Sequence, residues 1–157
     1  MLLSKSCIYA IRSALYITLE KDRKYIPVRE IAERLQISFH FLTKILQILS
    51  KNHIVASYKG PTGGIMLLKS ADEITLLDII LAIDGPGIFE ECVLGLPGCS
   101  HEKPCPLHHH WNEQRKTIKN SLQNSYLSSV AKRIKNEDLR IFDENGLRNT
   151  TGIDLFH

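Results

Sequence analysis

Residues 27–68 read PVREIAERLQISFHFLTKILQILSKNHIVASYKGPTGGIMLL and contain the clearest structural pattern in the chain. Pro27 suits the first position of a helix, where its missing N–H costs nothing, and apolar residues follow it at helical spacing. After the turn QIS, Ser38 is a good N-cap for a longer helix that we expect to end near Lys51. A short helix, a short turn and a longer helix are the helix-turn-helix arrangement.

The longer helix has an apolar face and a polar face. The apolar face recurs at intervals of three and four residues and comprises Leu42, Ile45, Leu46 and Leu49. The polar face carries His40, Thr43, Lys44, Gln47 and Lys51. A helix in the major groove of DNA needs polar side chains near its start for base edges and cations for phosphates. An ordinary amphipathic surface helix shows the same pattern, so this helix alone does not decide the function.

A β-hairpin is predicted directly after this helix, with strands over 54–58 and 65–68 and the tip KGPTGG. Glycines at the tip allow a close approach of the backbone, and Lys59 beside them can reach a phosphate or a narrow minor groove. With a first helix over 4–19, the order is three helices followed by a basic hairpin, or wing. We therefore predict a mainly α protein with a small β-hairpin wing. Its winged helix-turn-helix DNA-binding domain would span residues 1–84.

Composition and charge narrow the class of protein. The chain has 157 residues, about one ordinary domain, and no apolar run approaches the roughly 20 residues of a membrane span. We expect a cytoplasmic protein without a membrane partner. Residues 1–70 carry 11 Lys and Arg against 4 Asp and Glu, which favours a polyanionic partner. No nucleotide cradle or acid paired with metal ligands is visible, so we do not expect an enzyme.

A cysteine-bearing loop is predicted over residues 85–105, and residues 91–111 read ECVLGLPGCSHEKPCPLHHHW. In a reducing compartment, Cys92, Cys99 and Cys105 are more typical of a metal or redox site than of disulfides. Three thiolates suit iron or zinc, both of which accept tetrahedral sulfur ligation. A fourth ligand would come from Cys7, His101 or His108, or the position would stay open.

One long helix is predicted over residues 106–135. Its apolar stripe comprises Leu107, Trp111, Ile118, Leu122, Tyr126, Val130 and Ile134. The stripe is broader than a small domain needs, so we expect a partner helix to cover it in a homodimer, with Trp111, Ile118, Leu122 and Val130 at the interface. Two copies would present their reading helices about one duplex turn apart, to a pseudo-palindromic operator in double-stranded DNA. Residues 136–157 are expected to form an irregular or mobile tail.

The chain resembles the Rrf2 family of bacterial winged-helix regulators, the family of IscR, NsrR and CymR. The resemblance rests on LLSKSCIYAIRSALYI at 2–17, on residues 27–67, on EITLLDIILAIDG at 73–85, and on the three cysteines that follow. It implies a homodimeric transcription regulator, with repression as its expected mode. In cluster-bearing members an iron–sulfur cofactor is held by three cysteines, and we expect a 2Fe-2S rather than a 4Fe-4S cluster. The alternative is a relative with zinc or no metal that regulates through a partner protein or a small ligand.

The resemblance also assigns residues to the DNA. The set expected at the major groove comprises Ser38, His40, Thr43 and Lys44. The set expected at the backbone or minor groove is the wing tip, Lys59, Gly60, Thr62, Gly63 and Gly64. Some relatives have a Glu at the position of Thr43, so their operator does not transfer to this chain.

Two further positions concern the fourth ligand. His108 matches the ligand histidine of IscR-like members. Where some relatives supply a carboxylate from the first helix, this chain has Ile8, which cannot coordinate iron. The resemblance therefore favours Cys92, Cys99, Cys105 and His108 as the ligand set.

Overall fold

The helices and the hairpin follow one another in the predicted order. The computed structural model describes residues 2–61, 63–98 and 102–142. Its elements are α1 (Lys5–Leu19), α2 (Val28–Leu35), α3 (Phe39–Lys51), β1 (Val55–Tyr58), β2 (Gly64–Leu67), α4 (Leu76–Ile83), α5 (Gly87–Glu90), α6 (His108–Gln123) and α7 (Leu127–Asn136). Within this described part of the chain, no helix is both long and apolar enough to cross a membrane.

The turn between α2 and α3 is formed by local hydrogen bonds. Gln36 ends α2 in the left-handed conformation, with φ 55°, and its N–H donates back to the last turn of the helix. Ser38 then caps α3, since its hydroxyl accepts a hydrogen bond from the Phe41 N–H at 3.2 Å. The predicted N-cap and helix-turn-helix are confirmed.

The wing is a two-stranded antiparallel hairpin in which Val55 pairs with Leu67 and Tyr58 with Gly64. Its base is held by a further bridge, because Ile26 and Ile65 exchange two backbone hydrogen bonds of 2.9 Å each. A Cβ atom at Gly64 would lie only 2.4 Å from the Ile26 carbonyl oxygen. Glycine is therefore required where the returning strand passes this backbone.

The buried side chains form a main core and a smaller satellite cluster. The main core joins α1, α2, α3, the base of the wing, α4 and the start of α7, and it includes the predicted inner face of α3. The satellite cluster comprises Cys7, Leu77, Ile80 and Phe89, with Ile118 and Leu122 packed against it. The satellite cluster thus joins α1 and α4 to α5 and α6.

The predicted single helix over 106–135 is wrong, because the structure has two helices there. The chain leaves the helix after Gln123 and α7 begins at Leu127. Between them, the Ser125 carbonyl accepts from the Leu76 N–H, and the Leu127 N–H donates to the Ile74 carbonyl, both at 2.9 Å. These bonds pair the backbone with the start of α4 instead of continuing a helix.

The first residues of the expected tail pack on α1. They form no helix or strand after Asn136, but the Arg12 Nε donates to the Ile141 carbonyl at 2.6 Å. The Phe142 ring meets the Tyr16 ring edge-on, with centroids 5.5 Å apart. Residues 137–142 are therefore irregular but attached to the body, and positions 143–157 lie outside the described residues.

Candidate nucleic-acid interface and cysteine loop

The start of α3 carries the four residues predicted at the major groove. His40 and Lys44 are exposed, as residues that contact the major groove must be. The Ser38 hydroxyl caps the helix by accepting from the Phe41 N–H, which leaves its own hydrogen to donate to another group. The Thr43 Oγ1 donates to the Phe39 carbonyl at 2.7 Å, which leaves its lone pairs to accept a bond from outside. All four residues predicted at the major groove, Ser38, His40, Thr43 and Lys44, therefore keep groups that can meet base edges or phosphates.

The wing tip is a tight turn that holds Lys59 at the end of the hairpin. The Gly63 N–H donates to the Gly60 carbonyl at 2.9 Å, and Gly60 has φ +135°, a conformation that side chains disfavour. A Cβ at Gly63 would lie 2.4 Å from the Tyr58 carbonyl oxygen. Lys59 is exposed, and Thr62 lies outside the described residues.

Two aromatic features of this surface were not predicted from the sequence. The Phe39 side chain, at the first position of α3, is 44% exposed, and the Arg29 guanidinium lies 6.0 Å from its ring centroid. Beside the wing, the ring of Tyr25, which precedes α2, stacks on that of Tyr58 in β1, with centroids 4.9 Å apart. Phe39 stands three residues before Leu42 and seven before Leu46, in phase with the apolar stripe of α3, so its exposure was not signalled by the sequence.

The charged side chains of α3 are all positive. Residues 39–51 contain Lys44 and Lys51 and no Asp or Glu. The ion pairs among the described residues involve Arg23 and Arg133. Neither lysine is neutralised by such a pair, so both remain available to a polyanion.

In the cysteine loop, the structure brings two of the three predicted thiols together. The Cys92 and Cys105 Sγ atoms lie 3.7 Å apart, with Cys92 buried. Two thiolates about 2.3 Å from one tetrahedral ion would stand about 3.8 Å from each other, so this spacing fits a shared metal. Cys99 lies outside the described residues, among which no group of three or more Cys, His, Asp or Glu side chains could hold a metal.

His108 is buried at the first position of α6, with 3% of its surface exposed. Its N–H donates to the Cys105 carbonyl at 3.0 Å, and its ring meets that of His109 edge-on, with centroids 5.4 Å apart. The turn therefore places His108 beside the ligand-bearing loop. Its assignment as the fourth ligand remains a prediction.

The other candidate ligands have different positions. Cys7 is fully buried in the satellite cluster, and burial, together with the Asp84 carboxylate, raises the pKa of its thiol to about 12. A thiolate is the form that binds metal, so this environment disfavours Cys7 as a ligand. His101 lies outside the described residues.

The loop is attached to α6 by hydrogen bonds at the residue before Cys92. The Glu91 carbonyl accepts from the Trp111 Nε1 at 3.0 Å and from the Arg115 Nη1 at 2.9 Å. Arg115 is buried, with 7% of its surface exposed. We call Glu91, Trp111 and Arg115 the loop clamp. Sequence reasoning missed Arg115, since an arginine within a polar run ordinarily lies in water.

The four residues predicted at a dimer interface are partly covered within one chain. Trp111 belongs to the loop clamp, and Ile118 and Leu122 pack on the satellite cluster. Val130, beyond the helix break, packs on the main core. These four residues are therefore not left bare, although Leu107 and Tyr126 of the same stripe are exposed, and the dimer role of the four stays a prediction.

Comparisons with known proteins agree with this architecture. A protein of Aquifex aeolicus that carries the name of an HTH-type transcriptional regulator is 35% identical over 145 residues, 90% of this chain and 97% of that protein. IscR of Serratia proteamaculans is 32% identical over 133 residues, 85% of this chain and 79% of that protein. Among solved structures, that of CymR, the global cysteine regulator of B. subtilis, matches this fold with a TM-score of 0.71 at 22% identity. The match covers 83% of this chain and 95% of the CymR chain.

The winged-helix fold is thereby confirmed. The family model for Rrf2, described as an iron-dependent transcriptional regulator, matches residues 3–133. The matched range contains the helix-turn-helix, the wing, the cysteine loop and α6. This chain belongs to the Rrf2 family of transcriptional regulators.

Proposed function

We propose that this protein is a homodimeric transcriptional repressor whose affinity for operator DNA is controlled by an iron–sulfur cluster at Cys92, Cys99 and Cys105. It would act in the cytoplasm and sense iron–sulfur supply, redox state or nitric oxide. The observation that carries the metal part is the 3.7 Å separation of the Cys92 and Cys105 sulfur atoms beside the loop clamp.

DNA recognition would use α3 and the wing. His40 and Lys44 project from the start of α3, and Lys59 projects from the wing tip. Because the Gly64 backbone passes directly beside Ile26, the wing has a fixed base on the helix-turn-helix. Two contact points on one rigid body set the orientation of the protein on the duplex.

An iron–sulfur cluster at the thiols would supply a charge and a ligand geometry that change with its oxidation or loss. The chain's own residues determine where that change acts. Cys92 directly follows Glu91, whose carbonyl is held by the Trp111 indole and the Arg115 guanidinium of α6. A displacement of Cys92 therefore shifts the acceptor on which α6 is anchored.

A second copy of the chain is the expected partner of α6 and the cysteine loop. Apolar side chains stand in water around the loop and the start of α6, namely Val93, Leu94, Leu96 and Leu107, each 43–52% exposed. Such a group is unfavourable on a free surface and marks an interaction site when it is contiguous. Anchoring through α6 would let the loop set the distance between the two reading helices.

The switch needs only a modest coupling. A coupling free energy of about 1–3 kcal/mol between cluster state and operator binding would change the affinity roughly 5- to 150-fold. Repression follows if the bound dimer occludes a promoter.

The test is anaerobic purification followed by an absorption spectrum and by counts of iron, sulfide and zinc per chain. We expect sulfur-to-iron charge-transfer bands, and about two irons per chain for a 2Fe-2S cluster. Cys92→Ala and Cys105→Ala should each abolish the bands, whereas the matched control Cys7→Ala should keep them. A colourless protein with stoichiometric zinc or no metal would overturn the cluster and favour regulation through a partner or small ligand.

DNA binding is tested separately by selection from a pool of random duplexes, with the mass of the complex measured in solution. We expect a pseudo-palindromic site bound by two chains. An asymmetric site bound by one chain would overturn the dimer, and the absence of any selected site would overturn the proposal as a whole.

A further inference from the structure

Phe39 is an exposed aromatic residue outside the buried clusters of the fold. Its side chain is 44% exposed and belongs to neither buried cluster. Phe41, two residues later, packs against the main core and meets the Tyr9 ring edge-on, with centroids 5.9 Å apart. The first turn of α3 therefore has one phenylalanine that packs on the core and one whose ring is partly exposed to solvent.

Phe39 lies at the border between the apolar stripe of α3 and its polar face, with Leu42 and Leu46 three and seven residues after it. It is four residues before Thr43, whose hydroxyl donates to the Phe39 carbonyl, so the two residues are neighbours along one row of the helix. The Phe39 and His40 rings meet edge-on, with centroids 5.9 Å apart. An apolar surface thus stands among the polar groups that would meet base edges.

A cation stands beside the ring. The Arg29 guanidinium, in the first turn of α2, lies 6.0 Å from the Phe39 ring centroid, within the range of cation–π attraction. Arg29 itself is exposed and makes none of the ion pairs found in the described residues. The ring therefore orients a charge at the edge of the reading face, where the DNA backbone would pass.

We propose that Phe39 contacts the C5-methyl group of a thymine in the operator, while Arg29 contacts a neighbouring phosphate. This inference rests on the proposed DNA-binding function and specifies part of the operator. In the major groove, thymine alone among the four bases presents a methyl group, so an apolar side chain there selects thymine. Burying the ring against that methyl would also remove an unfavourable exposed apolar surface from water.

Replacing thymine by uracil removes the methyl group and leaves base pairing unchanged, so it tests the contact atom by atom. The operator selected from random duplexes is remade with one deoxyuridine at a time. For the wild-type protein we expect one position per half-site at which the substitution weakens binding about fourfold, the effect of one buried methyl group. For Phe39→Ala the penalty at that position should disappear.

Two variants serve as controls. Ile48→Ala removes another exposed apolar side chain from α3, one that is 38% exposed and more than two turns further along, and it should keep the full uracil penalty. Arg29→Ala should weaken binding at every position equally and flatten the salt dependence, without changing the penalty. Circular dichroism establishes that each variant is folded before binding is measured.

The outcomes separate this inference from the proposed function. If no duplex is selected, the DNA-binding proposal fails. If a site is selected but Phe39→Ala shows the same uracil penalty as the wild type, or if no position shows a penalty, the Phe39 contact is wrong while DNA binding stands. Unchanged affinity and salt dependence in Arg29→Ala would overturn the phosphate contact alone.

Discussion

The salt dependence of operator binding tests whether Lys44 and Lys59 form one reading surface. Lys44 is exposed on α3, and Lys59 is exposed at the wing tip. The helix that carries Lys44 has no acidic residue to neutralise it. Each lysine should therefore displace a counterion from one DNA phosphate, and its replacement by Ala should remove that contribution.

The magnitude follows from the number of contacts. Each phosphate contact contributes about 0.9 to the slope of log K against log salt, so a variant that loses one contact in each chain of a dimer should have a slope smaller by about 1.8. Between 50 and 200 mM salt, the wild-type affinity should then fall roughly 12-fold more than that of either variant. A monomer on the DNA would show half this change in slope.

The assay is a fluorescence-anisotropy titration of labelled operator at four or more salt concentrations. Lys132→Ala is the matched control, because Lys132 is an exposed lysine on α7, in an element outside the proposed interface. We expect the control to run parallel to the wild type and the Lys44→Ala and Lys59→Ala lines to be flatter. Parallel lines for all four proteins would refute the assignment of both lysines to the DNA.

Two further predictions concern the body that carries the reading surface. Tyr16→Phe removes the 2.6 Å hydrogen bond from the Tyr16 hydroxyl to Glu30, and we expect urea unfolding at neutral pH to show a loss of about 1–2 kcal/mol. Burial, followed by that bond, raises the pKa of Tyr16 from 10.0 to about 12, so the contribution is complete below pH 10 and is lost as pH rises through 12. The variant should lack this alkaline loss, and an unchanged pH profile would contradict the pKa shift. Gly64→Ala puts a Cβ 2.4 Å from the Ile26 carbonyl oxygen, so we expect the domain to lose about 1–3 kcal/mol of stability together with operator affinity; wild-type values for both would show that the wing base is not rigid.

The helix-turn-helix could be predicted closely because its signals are local. Ser38 is a side-chain cap, and the apolar period of α3 stays on one face until Lys51. The wing strands were likewise placed within about one residue at either end, since the glycine-rich tip fixes where the chain reverses. Caps, periods and turns depend on residues a few positions apart, and these the sequence displays directly.

The break between α6 and α7 could not be predicted in this way. Residues 124–126 contain neither Pro nor Gly, and the apolar spacing continues across them as it would in one helix. The helix ends because the backbone of Ser125 and Leu127 bonds to that of Leu76 and Ile74, some 50 residues earlier. The loop clamp also depends on a long-range contact, since the buried Arg115 donates to a carbonyl 24 residues earlier. Contacts of this range leave no periodic mark in the sequence.

The helix break assigns α7 to the main body of the protein. Leu127 is fully buried in the main core, so α7 belongs to the same body as α1 and the reading helix and not to a separate dimer arm. The segment from α5 to α6 leaves that body after Asp84 and rejoins it at Ser125, beside the start of α4. It is therefore an insertion with both ends fixed on one small helix.

Motion of such an insertion would not require the body that carries α3 and the wing to unfold. α6 has 16 residues and is about 24 Å long, and its motion is restrained near one end by the loop clamp and along its length by Ile118 and Leu122 on the satellite cluster. The clamp is built on Glu91, the immediate neighbour of Cys92, whereas Ile118 and Leu122 lie seven and eleven residues after Trp111 along α6. A change at the thiols would therefore act first on the clamp and tilt α6 about its satellite contacts. If α6 carries the partner subunit, that tilt would alter the spacing of the two reading helices while each winged domain keeps its own structure.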